Sequence, residues 1–388
     1  MITFILCVLG VLFAMRLLVD INKRFYAAKS SEDEVHFATT KDGWRLSLHR
    51  YLPRGDNPHG EPVMLHHGFS ASHLAFDLGM NDHNEPVPSL AHWLADRGYD
   101  VWSINLRGRE QSDTPRWFNK FRYRWSLYEY MEQDDPALVD YILSKSEYEN
   151  LHWIGHSMGG ILLFAYCIEH GSPKVASGVA LGSGIDYSNG GSFYDYITPA
   201  AGLTKYIERV PLGWLTAFLS LFSARNTSKP EQMNVWPPNV AGKAARAVMA
   251  NVVNDVSSNV VWQLSEMFLP GGLRRRVDGE PWINKAREAS TPMFHLGGDY
   301  DRQCTPVILE RTYKAFSNEN HEIWCAGPDE GCGDHYGHFD LSIGLRAETE
   351  VYPRILAFFE KHRAVRKSGK GKTTAAKRKS SRSAAGAA

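Results

Sequence analysis

The chain has 388 residues, 43 % hydrophobic and 12 % aromatic, enough apolar material to close a large core, so it is neither disordered nor fibrous. Lysine plus arginine and aspartate plus glutamate balance at 43 each, but residues 363–388 hold nine basic residues and no acid, leaving 34 basic against 43 acidic in the rest, a formal −9. An acidic body disfavours a nucleic-acid-binding globule, which needs basic surface to neutralise phosphates.

Five scattered cysteines without a C-x-x-C exclude a dense disulfide framework and disfavour a thiolate zinc site, although Cys325 and Cys332 are near enough in sequence to pair. Residues 2–19 form a nearly continuous apolar run broken by Gly10 and Arg16. As a helix, about 18 residues at 1.5 Å each span roughly 27 Å, enough for a hydrocarbon core. Segment 1–20 is therefore expected to be a membrane-anchor helix, followed by a linker over 21–34. The alternative, a cleaved signal peptide, fits less well because no Lys or Arg precedes the run and no small-x-small site follows closely. Lys23, Arg24 and Lys29 follow it, so the positive-inside bias puts the catalytic body on the cytoplasmic side, with secretion through a cleaved leader as the alternative.

Beyond the linker the pattern alternates. Arg45 to Leu52 reads as a strand after the turn residues Lys41-Asp42-Gly43, and Val63 to His66 as a short buried strand ending at Gly68. Pro88 to Arg97, with Ser89 as cap, predicts a helix stopped by Gly98, followed by a strand from Tyr99 to Asn105. A helix over Ala137–Ser144, a strand over Leu151–Ile154 and a helix over Ile161–His170 follow. Val179–Leu181, Met293–Leu296 and Glu322–Cys325 supply further strands. Strand and helix in this rhythm mean an α/β chain with a mostly parallel sheet covered on both faces. The rhythm breaks over 187–289, aromatic-rich and helical in flavour, which reads as a helical cap inserted between core segments 35–186 and 290–362. Residues 363–388 offer almost nothing to bury and read as a disordered tail, solubilising, drawn to anionic lipid headgroups or, third, in contact with nucleic acid.

Gly155-His156-Ser157-Met158-Gly159 follows a predicted strand and opens a predicted helix, the context in which G-x-S-x-G presents a nucleophilic serine on a sharp turn. A serine hydroxyl needs a histidine to take its proton and a carboxylate to orient that histidine, in the chain order Ser, acid, His. Asp299 and Asp301 both lie just past the strand at 293–296. Asp301 is the expected acid and Asp299 its rival, the simpler reading being a helix N-cap before Thr305-Pro306. His338, in Tyr336-Gly337-His338-Phe339-Asp340, is the expected base, with His335 as rival. Asp334, His335, His338 and Asp340 could also be read as metal ligands, but no second cluster completes a site, so neither metal nor organic cofactor is expected. The oxyanion N–H donors are expected from Met158, directly after the nucleophile, and from Phe69 in the loop after Leu65-His66-His67-Gly68.

His67-Gly68, Asn105-Leu106-Arg107-Gly108, the G-x-S-x-G, Gly298-Asp299-Tyr300-Asp301 and the His338 segment fall in the order found in the α/β-hydrolase superfamily. Within it, Ser89 to Trp102 followed by Asn105-Leu106-Arg107-Gly108, and His338-Phe339-Asp340 with Val351-Tyr352, resemble the acid lipase group of gastric and lysosomal lipases. The likeness covers about 35–186 and 290–362. It implies the α/β-hydrolase fold, hydrolysis of acylglycerols or steryl esters through an acyl-enzyme, and a triad on Ser157, Asp301 and His338. Met158 stands where that group usually has glutamine, and the expected anchor replaces a secretory leader.

In the cap, Val210 to Phe222 is apolar almost all round, so its helical part must be buried or touch lipid. Burial within the cap is the expected account, and a mobile interfacial lid the alternative. The reading as a whole is a membrane-associated serine hydrolase for hydrophobic esters, touching membrane lipid through residues 2–19 and the basic tail. The alternatives are an acyltransferase or thioesterase with the same triad, and a non-catalytic membrane-tethered binder of a hydrophobic ligand.

Overall fold

In a computed structural model of the chain, residues 2–56, 58–82, 85–171, 173–222, 232–316 and 319–368 are described. A helix, α1 (Ile2–Phe25), precedes an antiparallel pair, β1 (Glu34–Thr39) and β2 (Arg45–Tyr51). The elements β3 (Pro62–His66), α2 (Leu90–Ala95), β4 (Asp100–Ile104), α3 (Asp135–Lys145), β5 (Leu151–His156), α4 (Met158–His170) and β6 (Val175–Leu181) then alternate. After the cap, which holds α5 (Leu212–Leu219) and α6 (Ser258–Glu266), the chain returns as β7 (Met293–Gly298), α7 (Pro306–Phe316), β8 (His321–Ala326) and α8 (Tyr352–Lys361).

The eight strands form one sheet in the order β1-β2-β4-β3-β5-β6-β7-β8, in which every pairing from β4 to β8 is parallel. Every residue of β3, β4 and β5 is buried, as a sheet covered on both faces requires. Trp102, Trp153, Leu162 and Phe164 belong to one apolar layer, and Tyr51, Val101, Ile154 and Phe358 to the other. The predicted strands and helices reappear with ends shifted by a few residues, and Ser89 caps α2 by accepting from the His92 N–H at 3.3 Å. β1 was not foreseen. It is an edge strand in which exposed residues alternate with partly buried ones and, at Ala38, a buried one.

Between Tyr187 and Ala289 lie single-turn and 3₁₀ segments, α5, α6 and a two-residue antiparallel ladder of Arg209–Val210 with Val256–Ser257. The apolar run over 210–222 is buried on one side only: Gly213, Ala217 and Ser220 are covered, whereas Leu215, Leu219 and Phe222 are exposed.

Among the described residues no helix is long and apolar enough to cross a membrane. This corrects the expected transmembrane anchor and, with it, the positive-inside argument for a cytoplasmic body. The helix that forms runs past Val19 through Asp20, Lys23 and Arg24, which absorbs most of the expected linker start, and its second half docks on the cap. Val19 is buried, and the Asn22 side-chain amide donates to the Ala217 carbonyl at 3.1 Å and the Ser220 hydroxyl at 2.7 Å. Asn251 of the cap donates to the Lys23 and Tyr26 carbonyls. Polar bonds of this kind tie the second half of the helix to the protein.

Residues 363–368, expected to belong to the tail, are docked on the core. Arg363 pairs with buried Glu61, which also accepts the Ala364 N–H at 3.1 Å, and Lys367 Nζ donates to the Leu143 and Ser146 carbonyls at the end of α3. Residues 369–388 of the expected tail lie outside the described residues. Cys325 and Cys332 are free thiols.

Candidate active site

The turn from β5 into α4 forces Ser157 to φ +54°, ψ −118°, a left-handed conformation that costs a non-glycine residue of order 1–3 kcal/mol. The turn is held from both sides: the Ser157 N–H donates to the Leu181 carbonyl at 2.8 Å, and the Ser157 carbonyl accepts from Gly160 N–H and the Ser183 hydroxyl. The result is a serine at the N-terminus of α4, where the first N–H groups lack intrahelical partners and the helix dipole favours negative charge. Gly68 brings the loop after β3 against it, since a Cβ there would lie 3.0 Å from Ser157 Cβ.

The two candidate acids and the two candidate bases separate into two pairs. His338 Nδ1 lies 2.7 Å from Asp301 Oδ2, both residues almost fully buried. Asp301 Oδ1 accepts the backbone N–H of Gln303 at 2.7 Å and of Cys304 at 2.9 Å, so the carboxylate has three donors and no freedom to turn. With Nδ1–H donated to Asp301, Nε2 of His338 is left with its lone pair. His335 Nδ1 instead meets Asp299 Oδ2 at 2.5 Å in a half-exposed pair, and Asp299 Oδ1 accepts the Tyr336 N–H, which ties the loop to the end of β7. Gly182 brings the end of β6 against the buried pair: a Cβ there would sit 2.9 Å from Asp301 Oδ2 and 3.1 Å from His338 Nδ1.

The four residues read as possible metal ligands are drawn to separate partners. Asp334 accepts Trp236 Nε1–H and Asp340 accepts the Trp236 backbone N–H, while His335 and His338 hold Asp299 and Asp301. Among the described residues no group of three or more His, Cys, Asp or Glu could hold a metal ion.

Ser157, Met158 and Phe69 share the wall of a cavity of about 270 Å³ between the sheet and the cap. Ile161, Tyr187, Leu212, Leu264, Met267 and Phe268 are among its other lining residues, and its walls are largely apolar. A polar spot is made by Gln303, whose Oε1 accepts the Tyr194 hydroxyl at 2.8 Å.

Sequence reasoning missed His156. Its Nε2 lies 3.0 Å from the His338 carbonyl, so Nε2 carries the proton and the ring anchors the loop of the candidate base. Burial, aided by the neighbouring His338 ring, lowers its pKa to about 3 and keeps it neutral. The signal was its place beside the elbow serine; its target is 182 residues away.

A family model described as alpha/beta hydrolase fold matches residues 61–213. The chain is 32 % identical over 369 residues to Lipase lipl-1 of Caenorhabditis elegans, covering 83 % of this chain and 87 % of that one. It is 25 % identical over 359 residues to Triacylglycerol lipase 1 of Arabidopsis thaliana, covering 84 % and 86 %. With Lipase 1 of Drosophila melanogaster the identity is 36 %, but over 140 residues, 35 % of this chain and 30 % of that one. Among solved structures, an esterase from Exiguobacterium antarcticum superposes with TM-score 0.55 at 14 % identity, covering 84 % of this chain and 100 % of that one. A monoacylglycerol lipase from Paleococcus ferrophilus gives TM-score 0.55 at 15 % identity, covering 82 % and 99 %. These structural likenesses speak to the fold; the identity to the Caenorhabditis lipase over most of both chains goes further, and the chain belongs to the α/β-hydrolase family, among the lipases of the carboxylic ester hydrolases.

Proposed function

We propose that the protein hydrolyses carboxylic esters of hydrophobic, lipid-like substrates through an acyl-enzyme on Ser157. His338 Nε2 takes the hydroxyl proton as Oγ attacks the ester carbonyl, and Asp301 stabilises the imidazolium that forms. The carbonyl oxygen gains negative charge and is met by the N–H groups of Met158 and Phe69. Collapse of the tetrahedral intermediate breaks the C–O bond, His338 gives its proton to the leaving alcohol, and water repeats the sequence to release the acid and restore Ser157.

The observation that carries the reading is the apolar cavity with Ser157 in its wall, which suits an acyl chain better than a sugar or a peptide. Contact with a lipid phase is assigned to α1 and the cap rim, where Phe13, Leu17, Tyr196, Leu203 and Tyr206 are half or more exposed. The test is hydrolysis of p-nitrophenyl esters from acetate to palmitate, of emulsified triacylglycerol and of a steryl ester, by wild type and Ser157→Ala. Serine-dependent turnover that rises with chain length is expected. Turnover confined to short soluble esters would overturn the lipid-like substrate, and turnover that survives Ser157→Ala would overturn the nucleophile.

A further inference from the structure

Behind the loop that carries Phe69 lies a second, wholly buried aspartate–histidine pair that the reaction above does not use. His66 is the last residue of β3, and its Nε2 stands 3.1 Å from Oδ1 of Asp135, the first residue of α3; both side chains are fully buried. Asp135 Oδ2 has no hydrogen-bond partner among the described residues. A buried carboxyl with one oxygen left over is costly, and burial shifts its pKa upward. Such a pair calls for a look at what else the ring holds.

The other side of the His66 ring shows what. Nδ1 lies 3.0 Å from the His67 carbonyl, an atom that can only accept, so Nδ1 carries a proton wherever the proton shared with Asp135 resides. The next imidazole does the same one residue on. His67 Nε2 accepts the Leu106 N–H at 3.3 Å, which leaves Nδ1–H to donate to the Gly68 carbonyl at 2.9 Å. Two successive carbonyls, of His67 and Gly68, are thus each held by a ring N–H. In a planar trans peptide the carbonyl and the following N–H point in opposite directions. Holding the Gly68 carbonyl therefore aims the Phe69 N–H, and holding the His67 carbonyl fixes the peptide plane before it.

His66 also touches the other half of the site. Its ring stacks on Trp153 of β5, with centroids 5.6 Å apart and planes 13° from parallel. The first turn of α4 lies directly against it: a Cβ on Gly159 would sit 2.3 Å from the His66 carbonyl oxygen and 2.7 Å from Nδ1. The elbow that presents Met158 N–H and the loop that presents Phe69 N–H therefore both rest on His66, the elbow on its carbonyl and ring and the loop on its ring.

We propose that His66, held by Asp135, is a positioning residue that sets the two oxyanion donors in register. The proposal rests on the reading of Ser157 as nucleophile. Its signature is a loss confined to states in which the carbonyl carbon has become tetrahedral, because substrate binding in the cavity involves neither residue.

The test compares wild type, His66→Leu, Asp135→Leu and Asp135→Asn in steady-state hydrolysis of a p-nitrophenyl ester and in the rate of labelling by a fluorophosphonate, with the labelled residue identified by mass spectrometry. Removing an oxyanion donor outright lowers kcat by about 10²–10³, so misaiming one should cost about 10–100-fold. His66→Leu and Asp135→Leu are expected to lose kcat by that factor, to keep KM within about twofold, and to be labelled correspondingly more slowly. Asp135→Asn can still offer an N–H to His66 Nε2 and should recover most of what Asp135→Leu loses. Unchanged kcat and labelling in folded His66→Leu, or a rise in KM at constant kcat, would overturn the proposal while leaving the nucleophile intact. Wild type that is not labelled at Ser157 would overturn both. Should His66→Leu fail to fold, the two Asp135 variants decide: equal activity in Asp135→Leu and Asp135→Asn refutes the positioning role.

Discussion

Replacing Asp301 with asparagine tests the triad more sharply than deleting any member, because the surroundings dictate how the amide must sit. Oδ1 is the acceptor for two backbone N–H groups, from Gln303 at 2.7 Å and Cys304 at 2.9 Å. An amide NH₂ at that place would set donor against two donors, so the asparagine carbonyl must occupy it and the NH₂ must face His338 Nδ1. The imidazole then meets a donor where it met an acceptor. Its stable answer is the other tautomer, with the proton on Nε2, and that nitrogen can no longer take the proton of Ser157. The same tautomer error in a serine protease lowers kcat by about 10⁴, equivalent to about 5.5 kcal/mol of barrier. Asp301→Asn is therefore expected to lose about four orders of magnitude in kcat on a p-nitrophenyl ester, with KM within about threefold and an unchanged far-UV spectrum. Asp299→Asn, which alters only the half-exposed pair with His335, should stay within about threefold of wild type. An Asp301→Asn enzyme that keeps a tenth of wild-type kcat, or an Asp299→Asn enzyme that falls further than Asp301→Asn, would refute the assignment.

Ser157→Gly should abolish turnover yet raise stability by about 1 kcal/mol in urea unfolding, since glycine accepts φ +54° without strain; lower stability would mean the elbow is not strained. His73, His156 and His295 are held neutral by burial with pKa about 3, against an ordinary 6.5. Unfolding lets each bind a proton, so stability is full above about pH 6.5 and falls as pH drops from there toward 3, at up to about 1.4 kcal/mol per pH unit for each histidine. Equal unfolding midpoints at pH 5 and pH 7.5 would contradict that burial. Ending the chain after His362 removes Arg363 and the Ala364 N–H from buried Glu61, and should cost about 1–3 kcal/mol of stability in chemical denaturation. A truncated chain as stable as the whole would show that this junction contributes nothing. Deleting residues 2–20 should reduce the bound fraction in flotation with triacylglycerol emulsions, and undiminished binding would move the lipid contact away from α1.

What could be read along the chain was whatever depends on neighbours in sequence. The alternation of strand and helix, the Ser89 cap, the stop at Gly98 and the G-x-S-x-G turn are local devices, so the parallel sheet and the elbow serine were legible before any tertiary contact was known. Asp301 and His338 were preferred to their rivals from sequence, but how the four residues pair was not legible there, because Asp299 and Asp301 sit two residues apart past the same strand. Only the closing of the 334–340 loop over β7 decides that one carboxylate receives His338 and the other His335. The apolar run at 2–19 shows the same limit in reverse. Hydropathy measures the transfer of an isolated helix, whereas the docking of Val19 and Asn22 on the cap depends on a surface built nearly 200 residues later. His66 and Asp135 carry no signal in sequence at all, being 69 residues apart and unremarkable one by one. Residues far apart in the chain acquire a joint role only when the fold buries them together, since burial is what makes an unpaired polar atom expensive and a paired one specific.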